Sequence, residues 1–430
     1  MASDHPMVQV ISNRTQSPRL RYVLDFIFGE VLKANYKLLT PEMAVEKHFP
    51  LIEYLPAAHK QGAVSIFDCG QLDEWMAPGA WKKNQQSDEF LFTDDIFAEI
   101  FFHLSRMEEY GSFLPLDKHG RQRASDSYLG QINALMYPRV DHLVAALREQ
   151  LNNKGWQLSY RSEFKFTASY DVDYPWLFRH RAWYQNVRGL VGDVVKRRWA
   201  ILKDRLSVWN GQKKDPYDVW DHIIQLHQSA GVSARFFLLF TDQKGVDPSV
   251  PYNSSAYGDL VRKLQDIGKI GWHPGYYSLN QPRRWNREKE RFQNLIGESP
   301  KFSRQHYLRL EWPETYRQLL AAGIQEDYSL GYADQVGFRA GTSHPYFWYD
   351  LYKESATPLK LYPLAFMEVT LNKYLQLTPE ESFEKLIIIE NQVRIAHGHL
   401  IGLWHNNSFY PHEGWNEAWM ELYKNFIKRF

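Results

Sequence analysis

Cysteine is almost missing: the 430 residues contain one, Cys69. An internal disulfide framework is thereby excluded, and a reducing compartment is expected. No sign of charge predominates either. Lys and Arg number 51 against 50 Asp and Glu, a formal net charge of +1, so no global field draws in nucleic acid. No uncharged apolar run approaches the ~18 residues that a spanning helix needs. The opening Met1-Ala2-Ser3-Asp4-His5-Pro6 has no basic region followed by an apolar run, so no secretory signal is expected. Together these absences predict a soluble cytoplasmic protein.

Aromatic residues, by contrast, are plentiful at 15%, with 15 Trp and 26 Tyr. They can build a core, and rings with one wet end also stack on sugars. The length predicts two domains. Residues 1–155 read as a smaller mixed α/β unit. It has apolar residues at helical spacing over Arg21–Leu32, Asp94–Tyr110 and Asp141–Leu151, and ends near Asn152-Asn153-Lys154-Gly155. Within it, Asp117-Lys118-His119-Gly120-Arg121-Gln122-Arg123 is a basic polar loop, either solvated or an anion contact. From residue 160 to 430, strand-like and helix-like segments alternate. Strands are expected at Ala234–Phe240, Lys269–His273, Lys301–Leu308, Gln325–Tyr332 and Leu400–His405, with helices at Asp218–Gly231, Ser255–Gly268, Trp285–Ile296, Pro313–Gly323 and Glu380–Ala396. That alternation predicts an α/β fold with a parallel sheet, and in a barrel of this kind chemistry gathers at the carboxyl ends of the strands.

Those ends carry the chemistry-bearing residues. Phe164-Lys165-Phe166 leads through Thr167-Ala168-Ser169 to Asp171 and Asp173, two carboxylates that share a side of an extended chain before Pro175 stops it. Taken alone the pair is a surface turn or the seed of a metal or acid/base site. Later strand ends deliver His273, then Arg304 with His306, then His405. One carboxylate and two imidazoles make an open site for a divalent ion such as Zn²⁺, and a second carboxylate can take a proton from its water.

At these residues the chain resembles the polysaccharide deacetylases, the NodB-like family-4 carbohydrate esterases, over about residues 160–410. The family's first motif is similar to Ser169-Tyr170-Asp171-Val172-Asp173. Its His-x-x-x-His motif reads His273-Pro274-Gly275-Tyr276-Tyr277, with Tyr277 where a second histidine is usual. Leu403-Trp404-His405 matches its Leu-x-His motif. The resemblance implies an irregular (β/α)7 barrel that removes acetyl groups from sugars with a bound divalent metal, for which Zn²⁺ is the expected ion. It implies Asp171 as base, Asp173 and His273 as metal ligands, and His405 as the acid that protonates the leaving amine. His306 is expected to supply the missing imidazole, Arg304 to pair with Asp171, and Asp327, in preference to Asp334, to orient His405. Arg339, in Phe338-Arg339-Ala340-Gly341, is expected to grip a charged group of the sugar, with Trp404 and Tyr277 also at the substrate.

Three other classes compete. A glycoside hydrolase would leave the histidines without a role. His397-Gly398-His399 resembles an amidohydrolase His-x-His, and the altered second motif fits a non-catalytic carbohydrate-binding protein. The stretch from 177 to about 230 lies outside the resemblance. Its cations, among them Arg188, Lys196, Arg197 and Arg198, alternate with Trp183, Trp199 and aliphatic residues, the composition of a packed insertion or of a helix lying on anionic lipid. A cytoplasmic deacetylase would meet nucleotide-linked or lipid-linked N-acetylated sugar precursors of a surface polysaccharide, the lipid-linked ones from the inner face of a membrane.

Overall fold

The near-continuous apolar run Met7-Val8-Gln9-Val10-Ile11 has the pattern of a strand covered on both faces, and it forms β1 (Met7–Ser12) inside a parallel sheet. The computed structural model describes residues 6–57, 63–74, 95–110, 115–181, 183–411 and 414–430. β2 (Asn35–Leu39), β3 (Leu51–Leu55) and β4 (Val64–Phe67) complete this first sheet in the order β2-β1-β3-β4, every pair parallel. The expected helix over Arg21–Leu32 starts earlier. Ser17 caps Leu20 N, Pro18 stands in the first turn where its missing N–H costs nothing, and the helix widens to π geometry over Asp25–Val31. Asp95 caps the helix Ile96–Ser105; Asp94, the expected start, lies outside the described residues.

The second sheet contains β5 (Lys165–Val172), β6 (Ala234–Leu239), β7 (Gly268–His273), β8 (Phe302–Ser303), β9 (Glu326–Asp327), β10 (Tyr346–Asp350), β11 (Ser355–Leu361), β12 (Phe366–Met367) and β13 (His399–His405). Their order is β10-β11-β9-β8-β7-β6-β5-β13-β12, parallel throughout except for the β10–β11 hairpin. Two corrections follow. The expected (β/α)7 barrel does not close as a ladder among the described residues: β10 and β12 are free edges, and antiparallel β10 ends the parallel series. The strands expected over Lys301–Leu308 and Gln325–Tyr332 shrink to two residues each. Tyr307 and Leu308 take positive φ, which no strand accommodates, and the Asp327 carboxylate turns back onto Ser329 N at 2.9 Å. The hairpin β10–β11 and the edge strand β12 have no counterpart in the sequence reading.

Register matters more for the site than the sheet's outline. β5 lies between β13 and β6, with Asp171 opposite His405 in the β5–β13 ladder and Leu239 opposite His273 in the β6–β7 ladder. Side chains alternate, so Thr167, Ser169 and Asp171 share one face while Tyr170 and Val172 pack into the other. The excursion after β5 forms helices Trp183–Val195 and Trp199–Trp209. They are joined by buried Asp193, which pairs with Arg198 and Arg205 at 2.7 Å each.

Candidate metal centre

Asp173 follows the end of β5, His273 ends β7, and His306 opens a short turn after β8. One ligand atom from each lies within 4.8 Å of the others. Asp173 Oδ1 is 3.4 Å from His273 Nε2, and Asp173 Oδ2 is 3.6 Å from His306 Nε2. Asp173 Oδ1 and His273 Nε2 are both buried without a hydrogen-bond partner among the described residues. Orphaned polar atoms facing each other carry a desolvation cost that a shared cation would offset. One carboxylate with two imidazoles is also a donor set suited to a divalent ion. The residues therefore fit the metal.

The outer nitrogens of both rings are fixed. His273 Nδ1 meets Arg304 O at 2.5 Å, and His306 Nδ1 meets Asp247 Oδ1 at 2.8 Å. Each contact leaves Nε2 aimed at the centre, the usual arrangement for a ligating histidine. Asp247 is itself held by the amides of Tyr276 and Tyr277, at 2.8 and 3.1 Å. Burial depresses the His306 imidazolium, but Asp173 and Asp247 more than reverse this and raise it to about 10. Burial would raise Asp173, yet His306 and His273 hold its carboxyl well below the usual carboxylate range.

Two further dyads flank the centre. Asp171 Oδ1 accepts from Arg304 Nη1 at 2.9 Å, while Arg304 Nη2 donates to Ser169 Oγ at 2.8 Å and Nε to Tyr328 O at 3.0 Å. The guanidinium is fully buried, with Phe237 beneath it at 4.3 Å. His405 Nε2 is 3.9 Å from Asp173 Oδ2, and His405 Nδ1 is 2.9 Å from Glu368 Oε1. Burial lowers His405, but Glu368, then Asp173 and Asp171, carry it up to about 9. It therefore holds its proton at neutral pH.

Four expected roles are corrected. Asp327 does not orient His405: it accepts from Ser303 Oγ at 3.0 Å and Ser329 Oγ at 2.9 Å, with burial lifting it to about 6, and Glu368 takes the place on His405. Arg339 is buried and engaged by Glu109 and Gly331 O, so no charge is left for a substrate. Trp404 points to the opposite face of β13 and packs on Phe366 and Tyr423. Tyr277 contributes its amide to Asp247, while its ring faces Lys244 Nζ at 4.8 Å. His397 and His399 do not share a site. His397 stacks on Tyr160, and His399 meets Thr167 Oγ1 at 2.8 Å.

Asp171, Asp173, His306 and His405 open into a cavity of about 810 Å³. Its far wall is the loop Asp117–Arg123 from the first part of the chain. Arg121 anchors that loop by donating to Tyr307 O at 3.0 Å and to the Tyr374 hydroxyl at 2.9 Å, while Asp117 neutralises it at 2.7 Å. Lys118 and Lys373 also line the space, and neither has a carboxylate partner among the described residues. Asp247 and Glu368 went unread in the sequence. The first sits in Gly245-Val246-Asp247-Pro248, which reads as a turn. The second had a usable signal, a lone carboxylate inside the apolar run Leu364-Ala365-Phe366-Met367-Glu368-Val369.

A family model described as "Family of unknown function (DUF7033)" matches residues 8–156, the part that holds the first sheet and the cavity's far wall. No curated protein matches the sequence. Among solved structures the chain is similar to a protein from Mycobacterium smegmatis assigned as a polysaccharide deacetylase, at 14% identity and TM-score 0.40, covering 62% of this chain and 84% of that one. It is similar also to a polysaccharide deacetylase from Bacillus cereus, at 13% identity and TM-score 0.30, covering 63% and 88%. A 4-alpha-glucanotransferase from Thermococcus litoralis matches at 13% identity and TM-score 0.34, covering 63% and 37%. At these identities and scores the likeness says nothing of activity.

Proposed function

We propose that the chain is a metal-dependent deacetylase acting on an N-acetylated sugar, with residues 1–155 as an accessory unit that walls its cavity. The observation that supports this reading best is the triad of Asp173, His273 and His306 set between an Asp171–Arg304 pair and a His405–Glu368 pair. The motif resemblance adds the substrate class. A divalent ion held by Asp173, His273 and His306, with Zn²⁺ the favoured identity, supplies Lewis-acid polarisation of a carbonyl and a water of lowered pKa. Asp171, fixed by Arg304, takes a proton from the attacking water. His405 gives its proton to the sugar nitrogen as the C–N bond breaks, and acetate and the free amine leave. Glu368 keeps the imidazolium aimed and charged. Acetate release from N-acetylated hexosamine oligomers, measured with and without a chelator, tests the reading. Chelator-sensitive release is expected; near-stoichiometric metal with no release from any N-acetylated glycan would overturn it, and absence of metal would favour a binding protein.

The substrate proposed is a lipid-linked precursor of a surface polysaccharide, met from a membrane surface. No helix among the described residues is long and apolar enough to cross a membrane. The helical pair after β5 is nevertheless unusually greasy on its outer side, with Trp183 77%, Val195 75% and Trp199 60% exposed. Arg188, Lys196 and Arg197 are interspersed with those residues in sequence and have no carboxylate partners among the described residues. An apolar face ringed by cations partitions to anionic lipid. Co-sedimentation with phosphatidylglycerol vesicles is expected, about tenfold weaker for a Trp183→Ser/Trp199→Ser variant. Equal sedimentation of variant and parent would remove the membrane from this reading.

A further inference from the structure

The second sheet has a cavity at each end. The one at the amino ends of β5, β6 and β13, about 880 Å³, opens among Lys165, Thr167, Arg235 and His399. Thr167 and Asp171 share a face of β5 four residues apart, so the floor of this cavity lies about 13 Å from the carboxylates of the candidate metal centre. The buried layer of Ser169 and Arg304 separates them.

Its lining is cationic and poorly neutralised. Arg161, Lys165 and Arg235 have no carboxylate partner among the described residues, and Arg235 Nε is buried without any hydrogen-bond acceptor. Arg394 and Arg429 also line the space, and they share one buried carboxylate, Glu390, at 2.8 and 2.7 Å. The nearby acids already have partners, and Glu30 and the Lys360 it pairs with both line the cavity. Glu30 pairs with Lys360 at 2.6 Å, Glu326 accepts from the Tyr328 hydroxyl at 2.8 Å, and Glu163 faces solvent beside His397. Burial, and then Lys165, Arg235 and His344, press the His399 imidazole down to about 3, so it adds no charge and remains a neutral partner for Thr167.

Guanidinium groups gathered in a concave space, with their own carboxylates insufficient, match a planar or tetrahedral polyanion. We propose that this cavity is a second ligand site, for a molecule carrying a diphosphate group. It is independent of the chemistry at the other end of β5. Phe164, Phe430 and Tyr362 form the aromatic part of its lining.

Titration calorimetry with inorganic pyrophosphate on the full chain tests the proposal. Saturable binding at one site is expected, about tenfold weaker in Arg161→Gln/Lys165→Gln. Both of these side chains are exposed, so the variant should keep the parent's thermal midpoint. Binding should persist in His306→Ala, which separates it from the candidate metal centre and from the deacetylase reading. Absence of saturation, equal affinity in the double variant, or loss in His306→Ala would each overturn it. A nucleoside diphosphate binding more tightly than pyrophosphate would identify a nucleotide as the source of the diphosphate, and equal affinity would identify the diphosphate alone as what is read.

Discussion

His306→Ala will reduce bound metal from near-stoichiometric to a small fraction, measured by atomic emission on the purified protein, and activity will fall with it. The variant leaves two protein ligands where a catalytic site of this donor type uses three. Tyr277→Phe will keep the metal, because Tyr277 reaches the centre only through its backbone amide on Asp247. Asp247→Asn lies between them: it weakens the bond that aims His306 Nε2, and such outer partners are worth about 10–100-fold in metal affinity. The sign of the pH dependence follows from the ring itself. Without metal, His306 holds its proton up to about 10, and a ligating imidazole must release it. Apparent affinity should therefore rise about tenfold per pH unit as pH climbs towards 10 and level off above it, with a proton released on binding. Metal retained in His306→Ala but lost in Tyr277→Phe would refute this geometry, as would affinity that falls with pH.

The parts of this centre that could be read in advance share one property: they lie on strand ends, where alternation fixes direction. Asp171, Asp173, His273 and His405 each end or follow a run long enough to show period two, and the sheet register then sets Asp171 beside His405. Arg304 and His306 were legible by motif order, though the strand expected to present them stops at Ser303. What failed was long range. Asp247 lies 59 residues before the His306 it orients, and Glu368 lies 37 residues before His405. A carboxylate's partner depends on loop paths that no local pattern encodes. Asp327 shows the same failure reversed: its position near the centre in sequence order suggested a link to His405, while its carboxylate is held by two serines beside it. The ladder's open edges were unreadable for a related reason, since two-residue strands such as β8, β9 and β12 leave no periodic signal.

Arg339→Met should destabilise the protein by about 3–5 kcal/mol while leaving KM for any substrate of the folded molecule unchanged. Arg339 belongs to a buried four-charge cluster that joins the first part of the chain to the second. Its Nε donates to Glu109 Oε1 at 2.8 Å, as does Arg106 Nε at 2.8 Å, and Arg106 Nη2 reaches Glu108 Oε1 at 2.6 Å. Trp312 Nε1 closes the other side of Glu109 at 2.7 Å. All four charged side chains are nearly inaccessible, so removing one cation leaves a buried carboxylate in excess. Burial alone would raise Glu109, but Arg339 and Arg106 hold it down at about 2. The stabilisation this represents is complete above the unfolded carboxyl's pKa near 4.3 and is lost as pH falls towards 2. Arg339→Met should therefore lose more stability at pH 7 than at pH 3, measured by urea denaturation. Adding Glu109→Met restores much of the loss, because Arg106 and Glu108 still balance each other. A substrate-gripping arginine would behave otherwise: stability would hardly change, KM would rise, and the second substitution would rescue nothing.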